Sequence, residues 1–478
     1  MIKKIFPMIL AILASSPSFS FCGFYVAKAD ATLFNNKSEV ILVRDGLKTV
    51  ITMSNDFKGD VRDFAMVVPV PVVLKETDIR ISNRSVFESL DAYSAPRLVE
   101  YYDENPCMEY KMIEEADFSI SLTAAPTSTM KSINMDLDMG VTIEAQYQIG
   151  EYDILLLSAK ESTGLRDWLI MNGYKIPPTA DEVLNPYIKS NMKFFVVKVN
   201  LGKLKAGNFD YLNPIQISFE HEKFMLPIRL GMANSTGSQD MIVYAFTRSG
   251  RVECTNYRTV KMPTDRKIPL FIKEEFGPFY KNVFERTWKN EGRNAVFLEY
   301  AWNVTPNWGM KCDPCVGPPP MQNELSQAGV WWLNEGSNVF FTRMHVRYEK
   351  SKFPSDLTFQ VTPNNENYQA RYVLTNPAWG EFDCEAGQNY LVELSERRKV
   401  EVDELFALSG KNSEKSFNYI REFDKHKKAQ PKKNDFPALL WKWIKTHGPK
   451  GGAMLLLLAL TLFILKRTTP APKIAITH

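Results

Sequence analysis

The chain has 478 residues and a formal net charge of +3, but that charge is spread unevenly. Residues 1–20 carry +2, 425–450 carry +7 and 466–478 carry +3, which leaves residues 21–424 at −9. A mildly acidic body lacks the basic footprint of a nucleic-acid-binding head, and about 400 residues is too many for one compact core.

Residues 1–20 read as a signal peptide. Lys3 and Lys4 form the basic start, residues 8–14 the apolar centre, and Ser18 and Ser20 the small residues of a cleavage site. Mature numbering would then begin at residue 21, with the body outside the cytoplasm.

Strands dominate the next stretch. Residues 40–43 and 49–52 flank Asp45-Gly46, which predicts a hairpin. Residues 64–74 form a β-branched run broken by Pro69 and Pro71, which suits an edge or bulged strand because proline donates nothing to a ladder. Val141, Ile143, Ala145, Tyr147 and Ile149 alternate with polar residues, and 152–158 follow Gly150 as a buried strand. Residues 193–201 make another.

Helices punctuate these strands. Ser85 with Glu88 reads as a capping box ahead of Val86, Phe87 and Leu90. Leu165, Trp168 and Leu169 form a stripe ended by Asn172-Gly173. A third helix begins at Pro278, carries Phe279, Val283, Phe284, Thr287 and Trp288 on one face, and stops near Gly292. These stripes are core faces, not cofactor pockets.

Five stretches resemble the bacterial domain-of-unknown-function 2330 family. They are CGFYVAKADATLFN, the VVPVP run, IGEYDILLLSAKESTGLRDWLIMNGYKIPP, and KCDPC with FFTRMHVRYEKSKFPSDLTFQ. The resemblance runs in order from about Cys22 to Cys384. It implies a secreted or anchored bacterial envelope protein and carries no activity with it.

Six cysteines lie beyond the signal: Cys22, Cys107, Cys254, Cys312, Cys315 and Cys384. An even number in an exported chain favours disulfides, with the pairing open. Cys312-Asp313-Pro314-Cys315 invites a redox reading, which needs a sulfur at a helix start. The sequel Val316-Gly317-Pro318-Pro319-Pro320 cannot start a helix at once, so a structural clip is the simpler reading. Zinc would need further ligands. His221-Glu222 opens like a zincin helix, but position 225 is Met, and no cofactor is implied.

Over residues 339–348, Phe340, Met344, Val346 and Tyr348 share one strand face, and Arg343, His345 and Arg347 share the other. That basic face fits either an anion or glycan-phosphate contact or, more simply, a solvated or acid-paired strand face. No nucleophile elbow, Walker loop or dinucleotide fingerprint is present.

The C-terminal run 451–465 is uncharged and sits between Lys450 and Lys466-Arg467, with Trp441 and Trp443 before it. At about 1.5 Å per residue it is some 22 Å long against a ~30 Å hydrocarbon core, short but extended by snorkelling lysines. We read 451–467 as a single transmembrane anchor, 425–450 as a basic juxtamembrane linker, and 468–478 as a cytoplasmic tail. Gly451-Gly452 before the apolar run also resembles a bacterial C-terminal sorting signal.

The expected fold is β-rich α+β, with antiparallel sheets, several short helices and one C-terminal transmembrane helix. Its ectodomain is expected in two parts, 21–245 and 246–424. The expected function is a non-enzymatic interaction or scaffold module of the envelope, with a protein or glycan partner. A thiol–disulfide protein using Cys312 and Cys315 is the alternative, and a metal-dependent hydrolase comes third.

Overall fold

The computed structural model describes residues 24–25, 34–35, 38–54, 57–58, 65–108, 140–172, 180–199, 212–233, 237–306, 319–333, 338–411 and 414–429. The signal peptide, Cys22, Cys312, Cys315 and the anchor 451–467 lie outside the described residues. Among the described residues no helix is long and apolar enough to cross a membrane. The class is α+β and β-rich. It differs from expectation in that its sheets are partly parallel and one helix runs for 25 residues.

Contacts divide the chain into two compact units, each discontinuous in sequence. The first comprises residues 1–96, 122–262 and 287–370, and the second 97–121, 263–286 and 371–478.

In the first unit a five-stranded sheet contains β1 (Phe24–Tyr25), β6 (Ala65–Val70), β9 (Val141–Ile149), β10 (Tyr152–Ala159) and β11 (Lys193–Val199). Its order is β1-β6-β11-β10-β9, antiparallel throughout. Pro69 pairs with Phe194 on one side, while β1 covers only Met66 and Val67 on the other. At Pro69, β6 therefore has a described neighbour on one side alone, as an edge position that tolerates proline has.

A nine-stranded mixed sheet contains β3 (Ser38–Asp45), β4 (Lys48–Ser54), β7 (Ile79–Ile81), β12 (Ile215–Glu220), β14 (Gln239–Thr247), β16 (Arg258–Lys261), β18 (Ala295–Asn303), β19 (Phe340–Tyr348) and β21 (Tyr368–Gln369). Its path is β16-β18-β19-β14-β3-β4-β12-β7, with β21 beside β18. The β3–β4 hairpin forms as expected, but Asp45 pairs with Lys48, so the two turn residues are Gly46 and Leu47. Gly46 takes φ +56°, which a side chain at the first turn position resists. Strands β3 and β14 pair in parallel from Ser38↔Met241 to Arg44↔Thr247.

Period-two alternation explains why β3 reads as an unbroken apolar run. Val40 and Leu42 enter one core, while Ile41 and Val43 enter another. The first core also holds Met66, Val68, Ile154, Leu156, Phe195 and Val197, so the two large sheets pack face to face. The outer face of the five-stranded sheet is covered by α2 (Ser162–Met171) and α3 (Ala180–Lys189), through Leu165, Trp168, Leu169 and Leu184. The outer face of the nine-stranded sheet is covered by α1 (Arg84–Ser94) and α6 (Gln322–Gln327), through Val86, Phe87, Leu90 and Leu325. Helix α1 starts earlier than the Ser85 signal suggests. Asn83 is the N-cap, its Oδ1 accepting from the Ser85 N–H at 3.0 Å.

Smaller pieces complete this unit. Strands β13 (Met225–Leu226), β20 (Leu357–Val361) and β15 (Val252–Cys254) form a three-stranded sheet, β2 (Phe34–Asn35) pairs with β5 (Phe57–Lys58), and α4 (Arg229–Ala233) is a short turn of helix.

The second unit is built on a parallel sheet, β17 (Arg266–Lys267), β22 (Arg371–Asn376) and β8 (Arg97–Tyr102), in the order β17-β22-β8. Tyr372 of β22 is packed by Phe276, Phe279 and Tyr280 from the start of α5 (Phe276–Asn290). Helices α7 (Glu385–Ser409) and α8 (Glu414–Ala429) form a hairpin. Arg398 lies 4.2 Å over the Tyr419 ring, and the Tyr419 hydroxyl donates to Glu401 at 2.7 Å. Those residues lie about equally far from Gly410, which makes the hairpin antiparallel.

Cys107 and Cys384 are bridged in this unit, 277 residues apart in sequence. Cys384 is the N-cap of α7, its Sγ accepting from the Gly387 N–H at 3.2 Å. A Cβ on Gly387 would come 2.6 Å from the Cys107 sulfur and 2.9 Å from the Phe382 backbone, so glycine lets the helix close on the bridge.

Candidate functional site

The basic face of β19 carries a dense charged assembly in the first unit. Strand β19 lies between β18 and β14, which supply acids to it. A register shift in β18 sets both Glu299 and Tyr300 near Arg343 and aims Glu299 at two cations. Arg343 Nε donates to Glu299 Oε2 at 2.7 Å, and His345 Nδ1 lies 3.1 Å from Glu299 Oε1. The second His345 nitrogen, Nε2, lies 2.9 Å from Asp240 Oδ1. Arg347 grips the same Asp240 with Nε at 2.8 Å and Nη2 at 2.9 Å, a two-pronged pair. From α1, Asp91 accepts from Arg343 Nη1 at 2.7 Å. The Tyr244 hydroxyl lies within hydrogen-bonding distance of Asp91 and Glu39, at 3.0 and 2.9 Å.

Burial makes these pairings consequential. The Glu299 side chain is 1% exposed and that of Arg343 5%. Burial opposes the charge on Arg343, but Tyr244, Glu299 and Asp91 hold it firmly protonated. Burial opposes the His345 cation too, and its bonds to Asp240 and Glu299 outweigh that, raising its pKa above the usual histidine value. Burial pushes Asp240 up, yet His345 and Arg347 bring it well below the usual carboxylate range. Both ring nitrogens of His345 face carboxylates, the geometry of an imidazolium donating twice. The three basic residues singled out in the sequence are thus brought together, each with an acid partner.

The second unit carries its own buried charges. Asp103 receives Arg397 at 2.6 Å and the Tyr390 hydroxyl at 2.7 Å. Glu401 receives Arg398 at 3.1 Å and Tyr419 at 2.7 Å. Burial outweighs both arginines at Glu401 and raises its carboxyl to about 7 from an ordinary 4.5. The folded chain therefore holds this proton more tightly than the unfolded one, and stability falls as pH rises from about 4.5 to about 7. Melting curves of the native chain and Glu401→Gln, measured across that window, should diverge, with the native chain losing ground to the variant. Parallel curves would show that Glu401 titrates normally.

The remaining singled-out residues sit elsewhere. Cys254 is a free, buried thiol in β15, pushed up by burial and 3.3 Å from Asn256 Oδ1. His221 comes directly after β12, its Nδ1 accepting from the Lys223 N–H at 2.9 Å. Among the described residues no group of three or more His, Cys, Asp or Glu side chains could hold a metal ion.

Sequence reasoning missed Asp91, Asp240, Glu299 and the whole Glu401 cluster. One signal was there for Glu299: a lone acid inside the apolar run of β18 must be buried, and a buried acid needs a partner.

The family model described as "uncharacterized protein conserved in bacteria (DUF2330)" matches residues 16–360. The chain belongs to this family. No curated protein and no solved structure matches it. The matched span of this DUF2330 member includes the β19 network and Cys107, and it ends before Cys384 and helices α7 and α8.

Proposed function

We propose that this DUF2330 member is an exported bacterial envelope protein, held at a membrane by residues 451–467. In this reading it acts as a non-enzymatic interaction or scaffold module. The observation that carries the reading is the Cys107–Cys384 bridge, because disulfides persist in oxidising compartments and are rare in the cytosol. The β19 network fits a scaffold. Each of its cations is matched by an acid, and both His345 nitrogens are engaged, so it works as a lock across strands β18, β19 and β14. Exposed apolar side chains on α7 and α8, Val400, Phe406 and Phe417, supply a surface for a protein or glycan partner.

The test is thiol accounting on protein taken directly from cells. Alkylation under denaturing conditions without reductant should modify Cys254 and spare Cys107 and Cys384, which react only after reduction. Protease outside spheroplasts should digest residues 21–424 and spare a tag placed after His478. Alkylation of Cys107 and Cys384 without reduction, or a protected body, would sink the export reading.

A further inference from the structure

One end of the second unit is both aromatic and acidic. The loops 103–108 and 377–383 are tied there by the Cys107–Cys384 bridge and by Asn105, which donates to the carbonyls of Trp379 and Glu381 at 2.9 and 3.2 Å. Tyr102, paired with Asn376 at the end of β8, is 73% exposed, Trp379 72% and Met108 42%. Glu104, Glu381 and Asp383 on these loops and Glu385 at the start of α7 are exposed, and neither 101–108 nor 376–387 contains a lysine or arginine. An apolar surface ringed by one sign of charge selects a partner of the other sign.

The path of the chain supplies that partner. Helix α8 runs antiparallel to α7, with Tyr419 level with Arg398 and Glu401. At about 1.5 Å per residue, Cys384 lies roughly 21–25 Å from that level and Ala429 about 15 Å, in the same direction. The chain therefore leaves α8 within roughly 10 Å of the level of the acidic end. The segment beyond α8 is basic and aromatic: residues 430–450 contain Lys432, Lys433, Lys442, Lys445 and Lys450 against Asp435 alone, with Trp441 and Trp443.

We propose that the lysine-rich segment 430–450 docks on this end of the second unit within the same chain. Its ammonium groups meet Glu104, Glu381, Asp383 and Glu385 and lie over the Tyr102 and Trp379 rings. The same lysines are those that would rest on anionic headgroups if 451–467 is an anchor, so protein and membrane surfaces compete for one segment. The docking stands without the anchored reading, and only this competition rests on it.

The test is zero-length carbodiimide coupling of the full-length chain in a neutral detergent, with the linked peptides identified by mass spectrometry. Lysines 432–450 should couple to Glu104, Glu381, Asp383 or Glu385. The yield should fall several-fold between 0.01 M and 1 M salt, as the screening length drops from about 30 to about 3 Å. Tyr102→Ala with Trp379→Ala, both exposed, should lower the low-salt yield while leaving the melting midpoint unchanged. Links scattered over acids of the first unit, or a yield indifferent to both salt and the aromatic pair, would overturn the proposal. So would links found only between isotopically heavy and light copies, which would make the occupant a second chain. Phosphatidylglycerol in the micelle should reduce the yield, and an undiminished yield would remove the competition.

Discussion

Changing Glu299 to Gln is expected to destabilise the first unit by on the order of 3–5 kcal/mol, the usual cost of removing one partner from a buried ion pair. The substitution keeps shape and removes charge. Arg343 would be left in a nearly dry site with Asp91 as its ionic partner, and His345 would lose Glu299 while keeping Asp240. Urea unfolding followed by far-ultraviolet circular dichroism measures the loss, and a change below about 1 kcal/mol would mean that the network carries little. Adding Arg343→Met should recover part of the loss, because an apolar side chain no longer needs the acid. The histidine provides a separate readout. Its raised pKa means that the His345 contribution is fully present below pH 6.5 and is lost as pH rises through the folded value. In Glu299→Gln that folded value should move back toward the ordinary one, which ring-proton NMR would follow.

Replacing both Cys107 and Cys384 by serine is the second large effect expected. In the loop-closure account a crosslink between residues 277 apart stabilises by roughly 5.6 kcal/mol, against the ~4.7 estimated for a hundred-residue loop. The loss should be confined to the second unit, since the bridge, the parallel sheet and helices α7 and α8 all belong to it. Hydrogen exchange should show α7 losing protection while β3, β14 and β19 keep theirs. Equal loss in both sets of elements would show that the bridge acts on the whole chain, and no loss would show that it is ornamental to the folded state.

Local grammar made much of this fold legible. The Asp45-Gly46 hairpin, the β9–β10 pair around Gly150, and the two-faced alternation of β19 all depend on neighbours a few residues apart. The Leu165–Trp168–Leu169 stripe and the helix around Phe279, Val283 and Phe284 were readable for the same reason. The features that escaped depend on distance or on charge. The parallel pairing of β3 with β14 joins segments some two hundred residues apart, and nothing in either strand names the other. Helix α7 was hidden because its buried stripe, Leu394, Arg398, Glu401, Leu405 and Leu408, has two charged members that a hydrophobic pattern discards. Those two residues pair with each other, which makes their burial tolerable. At the β19 face the cations were visible in sequence as a row. Their acids come from α1, β14 and β18, and only the folded sheet brings them together.

The discontinuous second unit has a consequence for biogenesis. Cys107 must wait for 277 further residues before its partner exists, roughly tens of seconds at bacterial elongation rates. During that interval Cys254, Cys312 and Cys315 are made, and a premature bridge from Cys107 to any of them would strand α7 without its staple. For Cys254 the folded sheet works against this error. Strand β20 pairs with β15, setting Phe359 opposite Cys254, and it too is complete before Cys384 emerges. A thiol hidden under a neighbouring strand cannot intercept an exposed one. Once β15 and β20 are paired, burial takes Cys254, one of the three intervening thiols, out of that competition.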